Sequence, residues 1–324
     1  MSFTFIYLWQ GIYFPVNEES KEENYFLINK GEGTEEISTS LEKSGLIKNR
    51  RFFQYYVFLT NRNKSLQAGE YLLSPSMDVA QIVKKICSGE VVERKITIIE
   101  GWDIRNIANY LEEEEFFSVE DFIFTVGSSK KHSYFFNKFD VLKDKPEDFG
   151  LEGYLFPDTY YLDRSADPED VAEMMINNLD QKVSLEIKEE IEIQEKSIFD
   201  IITMASLLEK EVRTEEDKKI VAGILWKRME IGMPLQVDAT IAYITGKNST
   251  RISREETKID SPYNTYKYKG LPLGPICNPG FESIFASLYY EDSDYLYYLS
   301  TPEGETIFSK TLEEHNIAKG KYLK

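Results

Sequence analysis

Apolar positions recur at helical spacing through most of this chain, and only a few short runs read as strands. The first charge is Glu18, and residues 3–14 form an apolar run of about a dozen, ended by Pro15 and the polar tether 17–24. Beyond the tether the chain repeats itself. Ile28-Asn-Lys-Gly31 through Ile37 to Leu41 resembles Ile98-Ile-Glu-Gly101 through Ile107 to Leu111, and at the same offset Phe52 falls on Phe122. Each copy predicts a short strand, a glycine turn and a helix, with Thr34 and Asp103 as caps. A second helix is predicted from near Asn49 in one copy and near Ser118 in the other. Between the copies, 68–73 reads as a strand, and Ser76 caps an amphipathic helix that Gly89 ends.

The four glutamates 112–115 read as a solvated helix end. The stretch 143–150 is polar and turn-rich, and the domain boundary is expected there. Three regions follow: a membrane-proximal apolar segment and tether (1–22), an α+β region with the internal repeat (23–150), and a mixed, mainly helical domain with long loops (151–324). In the last, Asp167-Pro168-Glu169 starts a helix of about 13 residues and 184–196 reads as a charged helix. Residues 198–212 are apolar nearly all round and predict a buried core helix, and Thr214 starts another running to about Ile231. The fold class expected is α+β.

Composition narrows the function. A chain of 324 residues has room for two domains. Its net charge of −18 repels phosphate backbones, so nucleic acid is not expected as a partner. Cys87 and Cys277 are too far apart in sequence for a ligand motif and read as two semi-buried thiols. With His132 and His315 the only histidines, a multi-histidine metal site is excluded. The opening apolar run is too short alone to span a bilayer and lacks the basic start of a signal peptide. It reads as a buried first element, an interfacial segment, or part of a spanning helix. Tyr7, Trp9, Tyr13 and Phe14 suit the membrane interface and favour the last two.

Candidate chemistry gathers in the carboxy-terminal domain. Glu209 and Glu211 end the most apolar helix, where a carboxyl held protonated would serve as a general acid. They point to different sides, and spacing alone does not choose between them or exclude that both face water. Glu209 has the smaller neighbours, Ala205 and Ser206. The loops 151–160, 232–240 and 260–280 set aromatic rings beside Asn, Gln, Asp and Thr, as carbohydrate grooves do.

Five stretches carry a specific likeness. They are Glu152-Gly-Tyr-Leu-Phe-Pro-Asp158, Ala205-Ser-Leu-Leu-Glu209-Lys-Glu211, Gly232-Met-Pro-Leu-Gln236-Val-Asp238-Ala-Thr240, Pro262-Tyr-Asn-Thr-Tyr266, and Gly270-Leu-Pro-Leu-Gly274 through Gly280. With the ending from Phe308 to His315 and Asn316, these resemble the endolytic murein transglycosylase (YceG-like) family, in family order from about residue 24. The repeat region resembles a LysM module, a binder of N-acetylated glycan chains.

The resemblance implies cleavage of internal β-1,4 bonds between N-acetylmuramic acid and N-acetylglucosamine in nascent peptidoglycan, leaving 1,6-anhydromuramyl ends. It implies Glu209 as acid and then base, with Glu211 supporting. Glu152, Gln236, Asp238, Tyr263, Asn264, Thr265 and Tyr266 are candidates for the groove and its support, and His315 for ordering the carboxy-terminal loop. No metal or cofactor is implied. The partners expected are glycan strands, peptidoglycan synthases and the cell membrane, with the catalytic domain on the extracytoplasmic face. The family usually begins with a full transmembrane helix behind a basic segment, so the run at 3–14 is expected to be an incomplete or weak anchor. Two alternatives stay open. One is a muramidase-type hydrolase in which Asp238 or Glu152 positions water, and the other a non-catalytic peptidoglycan-binding scaffold.

Overall fold

The computed structural model describes residues 3–127, 133–247 and 252–323, so His132 lies outside the described residues. Two compact units form, one from residues 1–96 with 160–167, the other from 97–159 with 168–324. The chain passes between them three times. The stretch 143–150, expected as a boundary, lies inside the second unit.

The first unit runs α1 (Phe3–Tyr13), β1 (Asn24–Ile28), α2 (Thr34–Lys43), α3 (Arg50–Leu59), β2 (Gly69–Leu73) and α4 (Val79–Ser88). β1 and β2 pair antiparallel with Tyr25 opposite Leu72. Alternation along β1 sends Phe26 and Ile28 inward and leaves Tyr25 exposed. Ile37, Leu41, Phe53, Val57, Ile82, Val83 and Ile86 close the core from the helices. Each buried side chain of this size contributes about 1.5–3 kcal/mol.

The caps differ from expectation in two places. Asp78, not Ser76, starts α4: Asp78 Oδ1 accepts from Gln81 N (2.8 Å) and Gln81 Oε1 from Asp78 N (3.0 Å). This reciprocal pair is a stronger signal than a lone serine, and the Ser76 hydroxyl is engaged with Ser74 Oγ instead. Thr34 is the first residue of α2 rather than its cap, and the Gly33 N–H is held by Glu36 Oε2 at 3.0 Å. Asn49 and Gly89 act as expected.

In α1, Ile12 is buried, and a methyl group on Gly11 would lie 2.4 Å from the Phe52 ring, so this turn rests on α3. Ile6, Tyr7, Trp9, Tyr13 and Phe14 remain exposed. Among the described residues no helix is long and apolar enough to cross a membrane.

β3 (Glu93–Thr97) pairs with β4 (Thr159–Asp163) where the chain passes between the units. On β2, buried Glu70 is flanked by Arg94 and Arg164, each at 3.5 Å. Lys30, in the first copy's turn, pairs with Asp167 at 2.7 Å.

The second unit holds α5 (Ile104–Glu113), α6 (Val119–Gly127), α7 (Ser133–Phe136), α8 (Pro168–Lys182), α9 (Leu185–Ile193), α10 (Ile198–Glu211), α11 (Glu215–Glu230), α12 (Asp238–Thr245) and α13 (Phe281–Leu288). A hairpin of β5 (Tyr297–Ser300) and β6 (Thr306–Ser309) then packs under α14 (Leu312–Tyr322). α10 is the core helix its pattern predicts. Ile201 through Leu208 are all buried, and α9, α11, α12 and α13 pack around it. Ser197 starts α10 by accepting from Asp200 N, while Asp200 Oδ2 accepts from Ser197 N. The second copy of the repeat folds like the first: Gly101 (φ 79°) turns the chain as Gly31 does (φ 87°), and Asp103 caps α5.

Candidate active site

The buried run of α10 ends at Leu208, and the next side chain, Glu209, is 10% exposed. Its Oε2 accepts from Gly280 N (3.1 Å) and Ser283 Oγ (2.5 Å), with Lys218 Nζ of α11 at 3.5 Å. Gly280 caps α13 and Ser283 lies in its first turn, so the carboxyl faces the positive end of that helix. Lys218 is itself 3% exposed, and Glu282 of α13 stands 4.0 Å from it on the solvent side.

The strap 274–280 delivers these donors. Ile276 N donates to Ser206 Oγ (3.1 Å), pinning the strap to α10. Asn278 is fully buried and uses every polar group it has. Nδ2 donates to Trp102 O (3.0 Å) and Glu152 Oε1 (3.1 Å), and Oδ1 accepts from Leu155 N (2.9 Å). Its backbone exchanges hydrogen bonds with Trp102 O and Gly101 N. One side chain thus joins the turn 100–103, the loop 152–155 and the strap that orients Glu209.

Glu100 was not singled out by sequence. A methyl group on Gly280 would lie 2.0 Å from Glu100 Oε1, and one on Gly101 would lie 3.5 Å from Glu209 Cγ. Glu100 is exposed overall, but its carboxyl rests on Gly280 beside Glu209. Loss of water raises its proton affinity above the usual carboxylate range, and the Glu209 charge adds to this. The signal that could have found it is in the repeat: Glu100-Gly101 replaces Lys30-Gly31, a reversal of charge at an equivalent turn.

Glu152 lies behind the strap. Both its oxygens accept from Ile104 N (3.2 Å) at the start of α5, and Tyr243 OH lies 3.5 Å away. Burial lifts its pKa to about 8 against the pull of the Ile104 N–H. The Tyr243 ring meets Tyr263 at 5.1 Å, which brings Tyr263 to the same group.

Glu211 faces another flank. It accepts from Tyr298 OH (2.9 Å) and from the Ala239 N–H, and burial raises its pKa to about 7. Asp238 acts on Glu211 through its charge and accepts a hydrogen bond from Tyr266 OH. Gln236 is exposed with φ 54°. Asn264 and Thr265 are buried and brace the loops. Asn264 Nδ2 donates to Thr257 O (3.1 Å) and Ile259 O (2.8 Å), and Thr265 Oγ1 accepts from Val237 N (3.0 Å). His315 is buried in α14 and stacks on Tyr297 at 5.3 Å. The structure therefore brings Glu152 and Tyr263 to the strap behind Glu209, and Gln236, Asp238, Thr265 and Tyr266 to the Glu211 flank. Among the described residues no group of three or more His, Cys, Asp or Glu is arranged to hold a metal ion.

Comparisons with known proteins agree across nearly the whole chain. An endolytic murein transglycosylase of Bacillus subtilis (strain 168) is 36% identical over 317 residues, 95% of this chain and 87% of that protein. One from Streptococcus pneumoniae (strain R6) is 33% identical over 330 residues, 94% of this chain and 60% of that longer protein. The crystal structure of a YceG-like protein from Listeria monocytogenes superposes with a TM-score of 0.65 at 35% identity, covering 93% of this chain and 100% of that one. The YceG-like family model matches residues 26–321, and the chain belongs to that family.

Proposed function

We propose that this protein is an endolytic lytic transglycosylase of peptidoglycan, with Glu209 as its acid and then its base. The observation that carries the reading is the setting of Glu209. It is a nearly buried carboxyl at the end of the core helix, held on one oxygen by Gly280, Ser283 and Lys218, in a chain closely similar to proteins named for this activity. The three contacts all fall on Oε2, which leaves Oε1 to carry the proton.

Glu209 gives that proton to the glycosidic oxygen as the bond from C1 of N-acetylmuramic acid breaks. The C6 hydroxyl of the same sugar then closes on C1 and returns its proton to the carboxylate. No water is consumed, and the intramolecular nucleophile gains the advantage of proximity. The donors on Oε2 stabilise the carboxylate during the step in which it acts as base. Gln236, Asp238, Tyr263 and Tyr266 are the groove candidates with partly or fully exposed groups, and Glu152, Asn264 and Thr265 hold the surrounding loops.

The repeat region 23–150 is read as LysM-like, taking N-acetylated glycan. With the aromatic face of α1 at the membrane interface, the catalytic unit acts on the extracytoplasmic side, beside peptidoglycan synthases. The test is product analysis by mass spectrometry. Wild type is expected to release anhydromuramyl-ended fragments from intact peptidoglycan, and Glu209→Gln to stay folded and release none. Reducing-end fragments would instead make the protein a hydrolase.

A further inference from the structure

Two hydrogen bonds and an ion pair fall on one oxygen of Glu209, and a second carboxyl, that of Glu100, lies beside it. We propose that Glu100 is a positioning residue for this reaction: its carboxyl, seated on Gly280 beside Glu209, keeps a proton on the pair so that Glu209 meets the glycan as an acid. This rests on the reading of Glu209 as the acid, and it adds a second carboxylate that the one-glutamate scheme does not contain.

The geometry is specific. Gly280 gives its N–H to Glu209 and has no side chain, and the space a methyl group would fill is taken by Glu100 Oε1 and Oε2 (2.0 and 2.8 Å from that position). The backbone at Gly280 (φ −71°, ψ 167°) is open to any residue, so an added methyl would push the Glu100 carboxyl aside rather than strain the chain. Charges reach the pair from each surrounding element. Lys218 comes from α11 and Glu282 from α13, and Lys210 of α10 has its Nζ 3.6 Å from where a methyl on Gly101 would lie. Three carboxyls, Glu100, Glu209 and Glu282, thus stand with two ammoniums, Lys218 and Lys210. Loss of water, and then the charge of Glu209, raise the proton affinity of Glu100.

The test uses the full chain. Rates of anhydro-end release are measured against pH for wild type, Glu100→Gln and Gly280→Ala. Glu100→Gln is expected to lose about tenfold near neutral pH and to match wild type in mildly acidic solution, where the acid is protonated without help. Gly280→Ala displaces the Glu100 carboxyl while removing no titrating group from the chain, and is expected to move the profile the same way. A uniform loss at all pH values, or an unchanged profile, would overturn the proposal.

A second readout needs no turnover: carboxyl carbon NMR titration of Glu100 in wild type and in Glu209→Gln. Glu100 is expected to ionise at lower pH in the variant, and an unmoved titration would sink the coupling. If wild type releases no anhydro ends, the functional reading fails, and the NMR titration still decides whether the two carboxyls share a proton.

Discussion

Three carboxyls near the end of α10 differ by what surrounds them rather than by what they are. Glu209 has its contacts gathered on one oxygen, whereas burial pushes the pKa of Glu152 and of Glu211 up. In the folded state Glu152 holds its proton up to about 8, well above the ordinary value of 4.5 that an unfolded chain gives it. Its folded form binds more protons, so its contribution to stability is greatest at low pH and is lost as pH rises from about 4.5 to about 8. Glu211 acts in the same sense up to about 7. Melting temperature is therefore expected to fall across that window, and Glu152→Gln to flatten the fall by a difference on the order of 2–4 kcal/mol between its ends. Calorimetry over a pH series checks this; a slope unchanged in the variant would assign the loss elsewhere. Gly153 offers a sharper perturbation. Its φ is 88°, and an added methyl would meet Pro275 at 2.6 Å and Ile202 at 2.8 Å. Gly153→Ala is expected to cost upwards of about 2 kcal/mol in denaturant unfolding, from strain and overpacking together.

At the scale of elements, α10 and the strap 274–280 are one device. Ser206 is buried, its Oγ donates to Thr203 O (2.7 Å) and it accepts from Ile276 N (3.1 Å). Ser206→Ala leaves that N–H without a partner and is expected to cost about 1–3 kcal/mol, with activity falling more than stability because the strap carries Gly280. Ser197→Ala, at the far end of the same helix, removes a cap and should cost about 1 kcal/mol without touching the strap. Comparing kcat with the unfolding midpoint for the two variants separates these effects.

Much of this element-level structure was legible in advance. The all-round apolar pattern of 198–212 gave the core helix, and Asn49, Asp103, Thr214 and Gly89 marked ends that local chemistry decides. What stayed hidden was non-local. Ser76 lost to Asp78 because a reciprocal cap outweighs a single hydroxyl. Nothing near Asn264 or Thr265 in sequence reveals that their polar groups are spent inside loops. Glu100 reaches Glu209 from 109 positions earlier and Lys218 from the next helix, and helical spacing connects neither of them to it.

At the scale of the whole molecule, each unit is assembled from separated stretches. β4 is supplied to the first unit by residues 160–167, together with Arg164 for buried Glu70 and Asp167 for Lys30. A fragment ending at residue 96 is expected to melt at lower temperature than one in which 160–167 is joined back by a short linker, as circular dichroism would show. Asn278 in turn binds Trp102 and Glu152 across sequence separations of 176 and 126 residues. The order of synthesis then matters. Glu209 emerges 71 residues before the Gly280 N–H and 74 before the Ser283 hydroxyl that orient it. At roughly 5–20 residues per second, the growing chain spends several seconds with Glu209 made and, of its three partners, only Lys218 present. On the role proposed for Glu209, a protein that cuts the wall around its own cell is thus delivered unarmed, and becomes competent only when the strap closes over the finished helix.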